Sequence, residues 1–188
     1  MAAMIDRLRA DHANLARLLA LLEQQAAVIE GGASGDLRLL TDILDYIASY
    51  PDLYHHPRED LVFETLRHRD SASIETINAL LRQHKDLTNR AVELANALAA
   101  FSGSTVVPRE RLVGLLRDYV ALSRTHMNLE ESTVFPRAGA TLTEQDWQVI
   151  EQGMAIEDDP LFGHVISEQY RSLYDTIMRE AVPSEGTG

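Results

Sequence analysis

Cysteine is absent from the 188-residue chain. Its absence excludes disulfide bonds, thiolate nucleophiles, thiolate-held iron–sulfur clusters and cysteine-based zinc sites. A bound metal would therefore need imidazole and carboxylate ligands. The sequence can supply both, because it contains seven histidines and 29 aspartates and glutamates.

Positive charge is scarce as well, since 17 lysines and arginines face 29 acidic residues and give a formal net charge of −12. A nucleic-acid binder needs cations to displace phosphate counterions, so we expect neither nucleic acid nor an anionic membrane as a partner. No run approaches the roughly 18 apolar residues of a membrane span, and the N-terminus lacks the apolar core of a signal peptide. These features predict a cytoplasmic protein.

Hydrophobic spacing predicts an all-α fold. Apolar residues recur at steps of three and four along four long segments, as in helices with one buried face. Pro51 and Pro57 interrupt the second segment and predict a kink or break there. Short connections favour an antiparallel up-down-up-down four-helix bundle over residues 1–140. Residues 141–182 are predicted to form a C-terminal helical extension packed on the bundle, a candidate contact for a homodimer, and residues 183–188 a disordered tail.

Each long helix offers one histidine on its apolar face. His12, His84 and His126 lie within leucine-rich stripes, and His55 lies two helical turns from Ile47. At about 1.5 Å rise per residue, counting from the helix ends places all four histidines at a similar depth, roughly 13 to 20 Å from one end of the bundle. This coincidence of depth indicates a shared site.

Two of these histidines have a glutamate four residues further on, which stacks the two side chains one turn apart. Burial of an unpaired carboxylate is costly and is tolerated where the carboxylate ligates a metal. Two carboxylates from facing helices can each bridge two metal ions, and two histidines can complete the coordination of each ion. Such nitrogen and oxygen ligands suit iron, manganese or zinc. The predicted ligands are His12, His55, Glu59, His84, His126 and Glu130.

Alternatives remain near this set. His56 points roughly 100° away from His55 around the helix, which favours a position at the surface or beside a ligand. The spacing of His56 and Asp60 nevertheless repeats the motif and keeps a second register open, and Glu131 can replace Glu130.

Two further histidines are weaker candidates. His68 lies near a helix end, where it favourably meets the helix dipole. His164 has Glu168 four residues on, but no partner helix is evident there. The Glu-x-x-His pairs of ferritin-like bundles and the HExxH motif of zinc proteases are both absent.

The pattern as a whole resembles the hemerythrin-like family, often called the HHE cation-binding domain. The resemblance covers roughly residues 5 to 140. The matching pieces are Asp11-His12, His55-His56-Pro57-Arg58-Glu59-Asp60, His84, His126-Met127-Asn128-Leu129-Glu130-Glu131 and Val134-Phe135-Pro136. It implies a four-helix bundle around two iron ions bridged by two carboxylates and an oxo or hydroxo group. By this resemblance the four histidines are terminal ligands, and Glu59 and Glu130 are the bridges.

One departure separates the chain from the oxygen-carrying members, which have a fifth histidine on the third helix. Here Leu80 and Thr88 lie one turn before and after His84. A four-histidine centre is typical of the branch linked to iron–sulfur repair and nitric oxide. That branch commonly has a small cysteine-containing domain at its N-terminus, which these residues do not include.

These features predict a non-haem di-iron protein that binds O2 or nitric oxide for sensing, scavenging or carriage, because the ligand count leaves an open position for a diatomic molecule. An enzyme that reduces peroxide or nitric oxide is the alternative, with Tyr50, Tyr54 and Tyr119 as candidate proton donors. A structural protein whose site holds zinc or no metal is the third possibility. Whether the protein is an enzyme stays open.

Overall fold

The computed structural model describes residues 2–102, 107–153 and 157–181, and no strand occurs within these ranges. The all-α prediction is therefore confirmed over the described chain. The predicted disordered tail, 183–188, lies outside the described residues.

Eight α-helices are described, with two π-helical turns between them. The helices are α1 (Ala2–Glu30), α2 (Leu37–Ser49), α3 (His56–Arg69), α4 (Ile74–Ser102), α5 (Arg109–Leu129), α6 (Phe135–Thr141), α7 (Glu144–Gln152) and α8 (Arg171–Ala181). The first π-turn, Pro51–His55, joins α2 to α3, and the second, Glu130–Val134, joins α5 to α6. Short 3₁₀ turns at Ser71–Ser73 and Glu168–Tyr170 precede α4 and α8.

The prolines of the second segment act where the sequence predicts an interruption. Pro51 opens the first π-turn, in which the N–H of His56 donates to the carbonyl of Pro51 five residues back. Pro57 lies in the first turn of α3, the part of a helix in which proline is best tolerated. The chain therefore passes both prolines as one nearly continuous helical rod with a single widened turn.

The core consists of two hydrophobic clusters. One, around Leu22, Leu40, Leu94 and Leu116, fills the half of the bundle towards the end of α1. The other, around Leu8, Phe63, Leu80 and Phe135, fills the opposite half. Polar residues are buried in the layer between them, and this layer is the candidate site.

The C-terminal residues add apolar side chains to both clusters. Leu161, Leu173 and Ile177 join the first cluster, and Trp147 and Ile150 join the second. The apolar face of α8 is thus turned towards the protein's own core. The division into domains at residue 140 and the homodimer stay predictions. Within the described ranges, every helix is too short or too polar to serve as a membrane span.

Candidate metal centre

The six predicted ligands lie together in the buried polar layer. His84 is the most exposed of them, with 7% of its surface accessible, and both glutamates are fully buried. The four histidines lie at a common depth, because the rings of His12 and His55 are 5.0 Å apart and those of His84 and His126 are 4.7 Å apart.

Glu59 presents its two oxygens to different histidines. Its Oε1 lies 3.2 Å from Nε2 of His12 and 3.2 Å from Nε2 of His55. Its Oε2 lies 3.3 Å from Nε2 of His84. The carboxylate therefore faces two separate groups of imidazoles, as a bridging ligand must.

Glu130 divides its oxygens in the same way. Its Oε2 lies 3.4 Å from Nε2 of His12, and its Oε1 lies 3.3 Å from Nε2 of His126 and 3.7 Å from Nε2 of His84. Two carboxylates thus connect the same two groups of imidazoles.

His56 lies in the same buried layer as the predicted ligands. Its ring stacks on that of His84 with the centroids 4.3 Å apart, and only 13% of its side chain is exposed. His56 therefore lies beside a predicted ligand, one of the two positions that its direction on the helix favours, and it also belongs to a group of side chains that could hold a metal. The i to i+3 spacing of His56 and Glu59 was an available signal, because residues three apart on a helix share a face.

Two overlapping groups of ligand atoms result, each with its atoms within 4.8 Å of one another. The first contains His12, His55 and Glu59, and the second contains His56, Glu59, His84 and His126.

Every histidine of the layer has an outer partner at Nδ1. The partners and distances are Glu131 for His12 (3.1 Å), Asp11 for His55 (3.0 Å), Asp52 for His56 (3.2 Å), Asp60 for His84 (2.8 Å) and Gln83 for His126 (3.0 Å). An Nδ1–H that donates to such a partner fixes the ring and leaves Nε2 as the ligating atom. Glu131 and Asp60 therefore lie on the outer side of His12 and His84, away from the glutamates of the layer.

Several polar atoms of the layer are buried without a hydrogen bond, which allows a test of whether the layer suits a metal. They are Nε2 of His84 and His126, Oε2 of Glu59, and both carboxylate oxygens of Glu130. Buried polar atoms without partners are costly and rare in folded proteins. A cation between them would satisfy all of these atoms at once, so the residues fit a metal.

A cavity of about 30 Å³ opens beside the layer. His12, His55, His56 and His126 form its polar side. The rest of its wall is largely apolar, with side chains that include Leu15, Leu19, Ile47, Leu87, Met127 and Tyr119. The space suffices for a water-sized or diatomic molecule.

Residues 3–138 match the family model of the hemerythrin HHE cation-binding domain. The chain belongs to the hemerythrin HHE family. No curated protein matches the sequence significantly. The matched range ends before α7, so the helices that follow lie beyond the part that identifies the HHE domain.

Electrostatics in this HHE domain favour protonated imidazoles opposite the glutamates. Burial lowers the pKa of His12, but the nearby carboxylates of Glu130 and Glu59 outweigh burial and raise it to about 10. Burial also lowers the pKa of His84, and the hydrogen bond with Asp60 and the nearby carboxylates of both glutamates raise it to about 11.

The pKa of His55 is raised like those of His12 and His84, whereas the pKa values of His126, His56 and Glu59 are lowered. Burial lowers the pKa of His55, but the charge of Glu59 and the hydrogen bond with Asp11 raise it to about 9. Burial dominates at His126, where the pKa falls to about 4, and at His56, where the pKa is also lowered. Burial acts to raise the pKa of Glu59, yet the charge of His55 and hydrogen bonds from the imidazoles hold it well below its usual range.

The remaining candidates lie outside the layer. His68 is at the exposed end of α3 and pairs with Glu64, in agreement with the predicted helix-end position. His164 is almost fully exposed and pairs with Asp158. Of the candidate proton donors, Tyr119 lines the cavity beside the histidines, whereas Tyr50 accepts a hydrogen bond from a buried arginine.

Proposed function

We propose that the polar layer holds two iron ions and that the protein binds O2 or nitric oxide there, for sensing, scavenging or carriage. The division of each carboxylate between two groups of imidazoles supports this proposal most strongly. Membership of the HHE family supports cation binding at the same residues. Nitrogen and oxygen ligands suit iron, and they also keep manganese and zinc as alternatives.

The residues divide naturally between two metal positions. His12 and His55 would hold one ion, His56, His84 and His126 the other, and Glu59 and Glu130 would bridge them. With His56 included, the position with two histidines has one protein ligand fewer than its neighbour. When bound, the metal pair would supply redox chemistry and an open position for a diatomic ligand.

We also propose that the long helices of the bundle are antiparallel, in an up-down arrangement. Ion pairs between α1 and α5 support it, because Arg9 near the start of α1 meets Glu131 just after α5 at 3.0 Å. Glu30 at the end of α1 meets Arg117 near the start of α5 at 2.7 Å.

The cavity favours reversible binding over reduction. Leucines and Met127 exclude water from the space next to His12 and His55, and a dry site slows the loss of charged oxygen species. Among the described residues, one phenol lines the cavity, that of Tyr119, and burial raises its pKa, which makes it a poor proton donor. Peroxide or nitric oxide reduction needs protons, so we place binding ahead of turnover.

A metal and spectroscopic assay tests the function. The protein is reconstituted anaerobically with iron, its metal content is measured, and its absorption spectrum is recorded before and after O2 or nitric oxide is added and removed. We expect about two irons per chain, as the two ligand groups predict, and a reversible spectral change. Less than one ion per chain, or tight zinc without an iron-dependent spectrum, would contradict the proposal. Peroxide turnover well above that of free iron would favour the enzyme.

A further inference from the structure

Arg58 is a buried cation inside the ligand motif, with 2% of its surface exposed. Its Nη1 donates to the hydroxyl of Tyr50 at 2.9 Å and lies 3.9 Å from Oδ2 of Asp11. Its Nη2 donates to the main-chain carbonyl of Glu157 at 3.4 Å. A buried charge is tolerated only with such partners, so these contacts fix the position of the guanidinium.

Asp11 connects this arginine to a ligand of the centre. The same Oδ2 that faces Arg58 accepts the Nδ1–H of His55 at 3.0 Å, and Asp11 itself is buried. An unbroken series of contacts therefore runs from His55 through Asp11 and Arg58 to the main chain of Glu157.

Residues 157–163, here called the clamp segment, are held in place independently of Arg58. Arg7 donates from Nη2 to the carbonyl of Glu157 at 2.8 Å, and Tyr46 donates its hydroxyl to Asp159 at 2.8 Å. Leu161, two residues further on, is fully buried in the core. The clamp segment lies beyond the family-matched range, which ends at residue 138.

The partners of the other ligand histidines differ in the described part of the chain. Asp60, behind His84, is about half exposed and has no described arginine partner. Glu131, behind His12, pairs with Arg9, but both side chains are substantially exposed. Among the described residues, the outer partner of His55 alone is contacted by a buried arginine that also binds the C-terminal residues.

We infer that the clamp segment positions His55 through Arg58 and Asp11, and thereby sets how tightly the His12–His55 position retains its metal ion. The inference rests on the proposed metal centre. Arg58 and Asp11 are positioning residues, because they would contact a ligand and not the metal. Loss of an outer partner of this kind typically weakens metal retention about 10–100-fold.

The first test uses Arg58→Met, which keeps an unbranched side chain and removes the charge and the donors. The full-length protein is loaded with zinc, and a chelator removes the metal while its release is followed in time. We expect one of the two zinc ions to leave about 10–100-fold faster than from the wild type and the other to leave unchanged. Arg58→Lys, which keeps the charge, should restore slow release in part.

A nuclear magnetic resonance signal separates positioning from general stability. The Nδ1–H resonance of His55 should shift and exchange faster with water in Arg58→Met, whereas that of His84 should stay in place. Equal acceleration of both ions, or an unchanged His55 resonance, would overturn the inference. If the wild type bound neither zinc nor iron, the proposed function would fail. The His55 resonance of the metal-free protein would still test whether the clamp segment positions His55.

A second variant tests the clamp segment itself and serves if Arg58→Met does not fold. Tyr46→Phe keeps the aromatic ring and removes only the hydroxyl that binds Asp159. It should accelerate release of the same zinc ion, by less than Arg58→Met. Ser49→Ala is the matched control, because it breaks the 2.7 Å bond to Tyr170 outside the clamp segment. Equal release from Tyr46→Phe and Ser49→Ala would contradict a role for the clamp segment.

Discussion

At the scale of single residues, a proton and a metal ion would compete for the same nitrogen of each proposed ligand histidine. The outer partners occupy Nδ1, so Nε2 is the atom that faces the glutamates. The raised pKa values show that, opposite two carboxylates, protons bind some of these Nε2 atoms well at neutral pH. A metal that binds there must displace them, because only the neutral imidazole ligates.

Zinc binding near pH 7 should therefore release up to about three protons, one each from His12, His55 and His84, whose pKa values are about 10, 9 and 11. The metal-bound form has fewer protons, so affinity should rise with pH until these groups are neutral in the metal-free protein. Calorimetry in two buffers with different ionisation enthalpies measures the number of protons. A proton count near zero, with affinity independent of pH, would contradict this account.

His56 provides the second prediction at this scale. Replacement of His56 by alanine should weaken metal binding at the position it shares with His84 and His126 by more than the roughly 10–100-fold typical of an outer partner. His68→Ala, on the same helix but exposed, is the control and should bind metal as the wild type does. Equilibrium competition with a chelator measures both. Equal metal affinities in the two variants would show that His56 lies beside the ligands and does not bind the metal itself.

At the scale of helices, the placement of His55 beside His56 shows what could be predicted from sequence. The i to i+4 pairs predicted Glu59 and Glu130 because that spacing is local to one helix. An apolar stripe traced through positions three and four apart does not predict where His56 lies. The buried face of a helix is about 100° wide, so two consecutive residues can both lie on it. Each of the two histidines thus belongs to a different group of side chains that could hold a metal.

Other features of the centre depend on contacts that local spacing does not contain. Asp11 and His55 are 44 residues apart, and Glu131 and His12 are 119 residues apart. Only the packing of the helices brings these pairs together. Helical periodicity therefore predicted the all-α fold and the side chains that meet in the buried polar layer, while the outer partners and Arg58 required the tertiary structure.

The first π-turn sets the register between α2 and the ligands of α3, and a π-turn corresponds to one residue more than an α-helix needs. Deletion of Leu53, whose side chain is mostly exposed, should convert this turn to α-helix without rotating α3 as a whole, because it removes the extra residue. The path of the chain through the turn should change, and with it the position of His55 at its end. We expect metal content to fall while most helical circular dichroism remains.

Leu53→Ala is the matched control for this deletion, because it removes the side chain and keeps the residue count. It should bind metal like the wild type. If the deletion variant retained two ions per chain, the π-turn would not be needed to position His55 and His56.

At the scale of the whole molecule, the polar layer divides the hydrophobic core into two clusters. A layer of buried carboxylates and imidazoles contributes little to stability by itself, since charges removed from water need close partners. Metal ions that bind only the folded chain would make this layer a source of stability. The cytoplasmic location and the homodimer stay predictions. The apolar face of α8 packs against the protein's own core, so this face does not support a contact between two chains.

Removal of the metal should therefore lower the melting temperature. Free metal at about 1,000 times its dissociation constant stabilises a folded protein by about 4.1 kcal/mol per site. For a domain of this size, about 1 kcal/mol corresponds to roughly 2–4 °C, so chelation should lower the midpoint by roughly 8–16 °C per site. The double variant Glu59→Gln, Glu130→Gln keeps the side-chain volumes and removes both buried charges. Its melting should not respond to chelation. Wild-type protein that melts at one temperature with and without metal would favour a structural role in which the layer holds no ion.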